Sequence, residues 1–156
     1  MRIILLSLFG LLTGCASVMP STDIREPKIE SLKSIDWYAL ALINDGQAIH
    51  SAVSSGGTAY TRSFDPDDAI AGVLLKHGIS RIYGAPKANL NKTLLVTWGV
   101  SGSRNIGMLG AYSQEITILM GQADNLEVVY KCTAEGIGST EADDIRVATS
   151  SCLIGL

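Results

Sequence analysis

Three strand-like segments follow one another in the second half of the 156-residue chain, and they limit its fold more than any other feature. Segments 93–100, 111–121 and 126–134 are rich in apolar and β-branched residues. The first is nearly continuous in them, which is typical of a strand buried on both faces. Turn-forming residues at 122–125 predict a hairpin between the last two. Consecutive strands of this kind indicate a sheet as the centre of the fold.

Two helices are predicted around these strands. The first spans 65–78, with Asp65 as its N-cap and Gly78 placed to end it. The second begins after Ser139 or Thr140 and runs to about residue 152. Acidic side chains near its start lack the ligand spacing of a calcium loop, and the helix dipole explains those in the first turn; they are Glu135, Glu141, Asp143 and Asp144.

Shorter strands are expected at 37–43, 49–53 and 80–83. A turn signal at 44–46 makes 49–53 the candidate for a strand that returns and pairs with 37–43. Together these elements predict an α+β fold of the α/β-sandwich kind. Its sheet is expected to be mixed or antiparallel, with about four to six strands and two helices packed on it. We expect this single domain to occupy residues 35–156.

The N-terminus has the pattern of an export signal. Met1 and Arg2 precede an apolar run over 3–12, which is half the length of roughly 20 residues needed to cross a bilayer. The run ends in Leu12-Thr13-Gly14-Cys15, which resembles the bacterial lipobox. The resemblance implies removal of a signal peptide 1–14 and attachment of acyl chains, palmitate among them, to Cys15. The alternative is an ordinary secreted protein in which Cys15 is incidental.

Residues 15–34 have the composition of a flexible tether, with serines, Pro20, Pro27 and charges but no sustained apolar period. Two or more acyl chains would anchor such a tether stably in a membrane. Ala16 and Ser17 follow the cysteine, and the absence of Asp there resembles lipoproteins of the outer membrane. We therefore expect an outer-membrane protein whose domain lies in the periplasm.

Cys132 and Cys152 are a candidate disulfide, since export places them in an oxidising compartment. Cys132 lies on a predicted strand and Cys152 on the apolar face of the last helix. A bridge across about 20 residues contributes on the order of 3 kcal/mol. The alternative is two buried free thiols. No CxxC occurs and neither histidine is near these cysteines in sequence, so we expect no metal site and no cofactor.

The net charge and the sequence motifs argue against several classes of function. A net charge of −3, with 17% charged residues, argues against nucleic acid as a partner and against a disordered chain. No GxSxG motif occurs, and His50 and His77 are the only imidazole bases, so we expect no enzyme. Trp37, Tyr38 and Trp98 lie in strand-like runs and are assigned to the core.

The glycine-rich segment 99–110 is neither GxGxxG nor a P-loop. Its plain interpretation is a wide or bulged turn between two strands. The functional alternative is a surface loop in which Arg104 contacts an anionic glycan or a protein carboxylate.

The lipobox, the tether and the strand–helix order together resemble small envelope lipoproteins with a compact α/β periplasmic domain, such as the TolB- and CsgG-like groups. The resemblance implies a non-enzymatic interaction or assembly module that docks on an envelope protein or on peptidoglycan. One alternative is a small-ligand carrier or envelope enzyme with a pocket near 99–110. Another is a structural role through an exposed sheet edge.

Overall fold

The computed structural model describes residues 26–44, 46–55, 57–84, 89–105 and 112–156. These residues form a six-stranded sheet, a two-stranded sheet and two α-helices, which confirms the predicted α+β class. The elements, in chain order, are β1 (Lys28–Ser31), β2 (Leu40–Ile43), β3 (Ile49–Ser55), β4 (Thr58–Phe64), α1 (Pro66–Lys76), β5 (Ser80–Ile82), β6 (Thr93–Asn105), β7 (Tyr112–Gln122), β8 (Val128–Gly136) and α2 (Glu141–Leu153).

The six-stranded sheet is mixed, with strand order β1-β8-β7-β6-β2-β5. Strands β6, β7 and β8 form an antiparallel meander in which β7 and β8 make the predicted hairpin, and β1 adds to β8 in antiparallel fashion. Strand β2 pairs in parallel with both β6 and β5. Parallel pairing requires a crossover connection, which here contains α1.

Local sequence signals explain the two helices. The Asp65 side chain caps α1 by accepting a hydrogen bond from the Asp67 N–H at 2.9 Å, and Gly78, with φ of +78°, lies just past its end. Thr140 caps α2 in the same way, accepting from the Asp143 N–H at 3.2 Å. The apolar sides of both helices enter one core, in which Ile70 of α1 is fully buried.

A disulfide between Cys132 and Cys152 fixes α2 to the sheet, as the sequence predicts. The bridge joins β8 to α2 with a Cα–Cα distance of 5.6 Å, and both residues are 0% exposed. The Tyr130 hydroxyl donates a hydrogen bond to the Cys152 carbonyl oxygen beside it. Burial raises the pKa of this hydroxyl to about 12.

The expected pairing of 37–43 with 49–53 is wrong. Strand β3 leaves the main sheet and pairs with β4, an element that the sequence analysis did not predict. The connection is redirected because the Gly46 N–H donates to Asp67 Oδ2 at 2.9 Å, close to the Trp98 indole, which donates to the same carboxylate. A Cβ atom on Gly46 would collide with the Trp98 ring, so this close approach requires glycine.

The β3–β4 hairpin packs against the start of α2. Arg62 of β4 donates to both carboxylate oxygens of Asp143, at 3.0 and 2.7 Å. Ser51 of β3 accepts a hydrogen bond from the Ala142 N–H at 2.9 Å. A two-stranded ribbon is marginal by itself, so these contacts hold it on the domain.

Two predicted boundaries also change. Strand β1 lies inside the segment 15–34 assigned to the tether, so the sheet begins at Lys28 and not at Ile35. All four β1 residues are exposed at the edge of the sheet, which leaves too little apolar pattern to predict. The 93–100 strand extends to Asn105, and its expected burial on both faces holds only at its start, because Thr93 is buried but Thr97 on the same face is exposed.

In the described ranges, neither α-helix has the length and apolar character needed to cross a membrane. The predicted signal peptide 1–14 and Cys15 lie outside the described residues, as does most of the 15–34 segment. In the glycine-rich segment, β6 continues through 99–105 with a register shift between Val100 and Gly102, which agrees with a bulge. Residues 106–110 lie outside the described part.

Candidate functional site

The six-stranded sheet has two different faces, and the site lies on the one away from the helices. Along β7, Ile116, Ile118 and Met120 are fully buried against the helices. Because side chains alternate along a strand, Ser113, Glu115 and Thr117 lie on the other face. We call these the covered face and the open face.

A row of hydroxyl groups crosses three strands of the open face. Thr117 on β7 shares a hydrogen bond with the Thr133 hydroxyl on β8 at 3.0 Å. It donates to the Ser101 hydroxyl on β6 at 3.1 Å. Ser101 in turn donates to Glu115 Oε1 at 2.8 Å. The row therefore ends on a carboxylate, and its orientation is set by hydrogen bonds within the sheet.

A cleft of about 240 Å³ lies beside this row, between β1, β8 and β7. We call it the open-face cleft. Its described lining is mainly charged, with four carboxylates against two ammonium groups, and it consists of Glu26, Lys28, Glu30, Glu115, Lys131, Thr133, Ala134 and Glu135. The described lining therefore carries more negative than positive charge.

The lysines neutralise one wall of the open-face cleft. Glu30 Oε1 lies 3.1 Å from Lys28 Nζ, and Glu30 Oε2 lies 4.0 Å from Lys131 Nζ. The hydrogen bond from Lys28, followed by the charge of Lys131, lowers the pKa of Glu30. This carboxyl is therefore ionised at neutral pH.

Glu135 is the most buried charged residue of the cleft lining and is 7% exposed. The Ser113 hydroxyl donates a hydrogen bond to its Oε1. Glu115 is its cross-strand partner in the β7–β8 pairing, so two glutamates face each other at this point. Both carboxylates therefore lie on the same face of the sheet at this end of the cleft.

The chemistry of the cleft is recognition by hydrogen bonds and charge. Carboxylate and hydroxyl oxygens accept hydrogen bonds from ammonium, guanidinium or hydroxyl groups of a ligand. Within the described part of the chain, no three His, Cys, Asp or Glu side chains are arranged to hold a metal ion.

The structure separates the other residues singled out in the sequence. Cys132 and Cys152 meet on the covered face, whereas Cys15 lies outside the described residues. Arg104 pairs with Ser113 through the β6–β7 backbone, and its side chain is not among those described. His77 Nδ1 lies 3.1 Å from Asp36 Oδ1, far from the cleft lining.

The assignment of three aromatic residues to the core holds in part. Tyr38 is buried and Trp98 is half-buried, but Trp37 is 61% exposed. A single 3-10 turn at Ile35–Trp37 explains the difference, because it directs Ile35 and Tyr38 inward and leaves Trp37 outside.

The open-face cleft was not predicted from the sequence. A usable signal was present in β7, where Ser113, Glu115 and Thr117 alternate with apolar residues. That period of two indicates a strand with one polar face. The cross-strand partners of these residues on β6 and β8 depend on register, which the sequence alone did not provide.

Among known proteins, only solved structures are similar to this chain, and they are similar only in overall shape. The chain matches no protein-family model and no curated protein sequence. A PelC variant dodecamer from Paraburkholderia phytofirmans is similar, with 17% identity over 82% of this chain and 92% of that chain and a TM-score of 0.47. A second PelC dodecamer from the same organism has 19% identity, coverage of 80% and 89%, and a TM-score of 0.47. Protein XCC0632 from Xanthomonas campestris, of family DUF330, has 14% identity, coverage of 83% and 87%, and a TM-score of 0.36. All three TM-scores lie below 0.5, so these likenesses establish no shared function.

Proposed function

We propose that the protein is a lipid-anchored envelope protein whose periplasmic domain is a non-enzymatic interaction module. In this proposal the acylated Cys15 holds the domain at the outer membrane, and the open face of the sheet docks on an envelope partner. The observation that carries the proposal is the open-face cleft, a charged recess on the sheet face that neither described helix covers.

The buried disulfide supports the proposed compartment. A bridge between Cys132 and Cys152 persists where the surroundings are oxidising, as in the bacterial periplasm. The same location follows from the export-signal pattern and from the likeness of residues 12–15 to a lipobox. Two unrelated features of the chain therefore support the same compartment.

The charge of the open-face cleft favours a basic segment of an envelope protein as the partner. Four carboxylates line its described part against two ammonium groups, and lysine or arginine side chains bind carboxylates through charge-assisted hydrogen bonds. Ordered hydroxyls at Thr117 and Thr133 supply further hydrogen bonds beside them. Peptidoglycan, which carries amino and hydroxyl groups, is the alternative partner.

A pair of charge reversals tests the docking surface. Glu115→Lys inverts charge in the cleft, and Glu141→Lys makes the same change on the exposed start of α2. The full chain is assayed by cross-linking to envelope proteins and by sedimentation with purified peptidoglycan. We expect Glu115→Lys to lower cross-linking by about tenfold, which corresponds to the loss of one close charge pair, while Glu141→Lys keeps it. Equal binding by both variants would refute the open face as the docking surface.

The proposed anchor is tested separately by mass spectrometry. We expect the N-terminal peptide of the mature chain to begin at Cys15 and to carry the added mass of its acyl chains. Cys15→Ala in the full chain should abolish that mass and release the protein from the membrane fraction. An unmodified cysteine in the mature chain would contradict lipid anchoring.

The non-enzymatic role is supported by the surroundings of the histidines. Ser51, the neighbour of His50, uses its hydroxyl oxygen to accept the Ala142 N–H, and His77 pairs with Asp36. The second candidate is a small-ligand carrier or envelope enzyme, favoured by the Ser101–Glu115 hydrogen bond, which brings the start of the glycine-rich segment beside the cleft. A thermal shift with amino sugars or polyamines, abolished by Glu115→Gln, would favour that candidate, because a ligand that binds the native state raises Tm.

A further inference from the structure

One end of the domain exposes large apolar side chains on four separate connecting segments. Leu32 is 67% exposed, Trp37 61% and Leu126 69%, and Leu90 is partly exposed beside them. We call these four residues the apolar end. Exposed apolar residues scattered singly are ordinary, whereas several at one end of a small domain indicate an interaction surface.

Backbone and side-chain contacts hold the apolar end together. The Leu32 N–H donates to the Val129 carbonyl oxygen at 3.0 Å, which places the turn after β1 beside the start of β8. Lys33 Nζ, one residue on, lies 2.6 Å from Glu127 Oε2, the neighbour of Leu126. These contacts bring Leu32 and Leu126 to the same rim of the sheet.

Lys92 joins Trp37 to the same end. Its ammonium group lies 2.9 Å from the centroid of the Trp37 ring and donates to the Trp37 carbonyl oxygen at 3.0 Å. Leu90 belongs to the same 3-10 turn as Lys92. An exposed tryptophan beside lysine has the chemistry of a membrane interface, where the ring lies among the headgroups and the ammonium group reaches water or phosphate.

Leu126 has a backbone conformation that is unusual for leucine. Its φ is +59°, the left-handed region that glycine and asparagine occupy readily, at the tip of the β7–β8 hairpin. A strained residue with an exposed apolar side chain is unfavourable for an isolated domain. Such strain is typical of functional positions.

The length of the N-terminal segment allows this end to face the membrane. Twelve residues, from Ala16 to Pro27, separate Cys15 from Lys28, the first residue of β1. Fully extended they span at most about 40 Å. From Lys28, strand β1 continues toward the apolar end. The rise along the strand over three residues places that end roughly 10 Å beyond Lys28. An anchor at Cys15 therefore leaves the apolar end within reach of the same bilayer.

We propose that the apolar end docks on the surface of a lipid bilayer, with Trp37, Leu32 and Leu126 inserted among the headgroups. We favour a lipid bilayer over a protein partner because the apolar side chains protrude separately from turns. A fluid bilayer can accommodate each protruding side chain, whereas a rigid protein would need a matching pocket for each. The proposal rests on the proposed anchor at Cys15. Docking would orient the domain and leave the open-face cleft accessible at its side.

The two tryptophans of the chain provide an internal test. Trp98 lies on β6 about 17 Å from the strand start next to Lys92, and its indole donates to Asp67. The full chain is reconstituted in vesicles of three parts phosphatidylethanolamine and one part phosphatidylglycerol, with or without brominated phosphatidylcholine. In the Trp98→Phe variant the fluorescence comes from Trp37, and in the Trp37→Phe variant it comes from Trp98. If Trp98→Phe does not fold, the wild-type signal minus that of Trp37→Phe gives Trp37.

We expect brominated lipid to quench Trp37 roughly threefold more than Trp98, since an interfacial ring lies within about 10 Å of the acyl region. Leu126→Asn removes an apolar contact and suits the left-handed backbone, so it should lower the quenching of Trp37 while Tm stays the same or rises. Equal quenching of the two tryptophans in acylated protein would overturn docking and leave the anchor intact. If the protein isolated from its native envelope carries no acyl group, the anchor is overturned, and strong quenching of Trp37 in that protein would leave docking intact. Shielding of Trp37 that depends on protein concentration without lipid would indicate a second copy and overturn the proposal.

Discussion

The covered and open faces of the six-stranded sheet differ although they are built from neighbouring residues of the same strands. Ile118 is fully buried and pairs across strands with Cys132, while Thr117, the adjacent residue, pairs with Thr133 among hydroxyls and charges. The covered face holds the core and the disulfide. The alternation along a strand therefore separates the residues that stabilise the domain from those available for recognition.

The largest expected loss of stability comes from shortening a buried side chain on the covered face. Ile118→Ala should lower the free energy of unfolding by about 4 kcal/mol, because it removes buried methyl groups and leaves a cavity. Thr117→Ala, one residue away on the open face, should cost about 1 kcal/mol. Urea unfolding of both variants measures the difference. Similar losses for the two would contradict the division of the sheet into faces.

The next effect concerns the bridge between α2 and the covered face. The double change Cys132→Ala and Cys152→Ala should lower the free energy of unfolding by about 3 kcal/mol, since the closed loop no longer limits the unfolded chain. Reductant should destabilise the wild type in the same direction and leave the double variant unchanged. A wild type that is insensitive to reductant in denaturant would argue against the bridge.

A pH effect is expected where the β3–β4 hairpin joins α2. A hydrogen bond from Ser139, followed by those from Arg62 and Thr140, lowers the pKa of Asp143 to about 2. Because this value lies below that of the unfolded chain, near 3.8, the stabilisation is present above about pH 4 and is lost as pH falls through 2. Asp143→Asn should therefore flatten the dependence of the urea midpoint on pH in this range. A midpoint that falls equally in both proteins would exclude Asp143 as the cause.

The smallest effect on stability is expected in the open-face cleft. Lys131 contacts Glu30 only at 4.0 Å and is exposed, so Lys131→Ala should change the free energy of unfolding by about 0.5 kcal/mol or less. The same variant should alter partner binding and its dependence on salt. A loss of stability comparable to that of Ile118→Ala would make the cleft a structural element and not a docking surface.

Prediction from sequence succeeded where the signals are local. The side chains of Asp65 and Thr140 cap the helix starts, Gly78 follows the end of α1 with a positive φ, and the β7–β8 hairpin follows from residues close together in the chain. The disulfide was predicted because the export signal indicates an oxidising compartment and because Cys132 and Cys152 lie on a predicted strand and a predicted helix that can pack together.

Prediction from sequence failed where contacts between distant parts of the chain determine the strands and their pairing. Strand β1 was assigned to the tether because an exposed edge strand carries little apolar pattern, and β4 was missed because its residues are mainly polar. The pairing of β3 depends on the distant Asp67 and Trp98 holding Gly46. The open-face cleft depends on the register of three strands, which no single segment of sequence specifies.

Photo-cross-linking from two matched lysine positions tests the central claim most directly. A benzophenone amino acid replaces Lys131 in the open-face cleft or Lys76 at the exposed end of α1, each in the full chain in its native envelope. If the open face is the docking surface, position 131 forms a discrete cross-linked product that Glu115→Lys abolishes, and position 76 forms none. Cross-linking from position 76 alone, or equally from both positions, would contradict the claim.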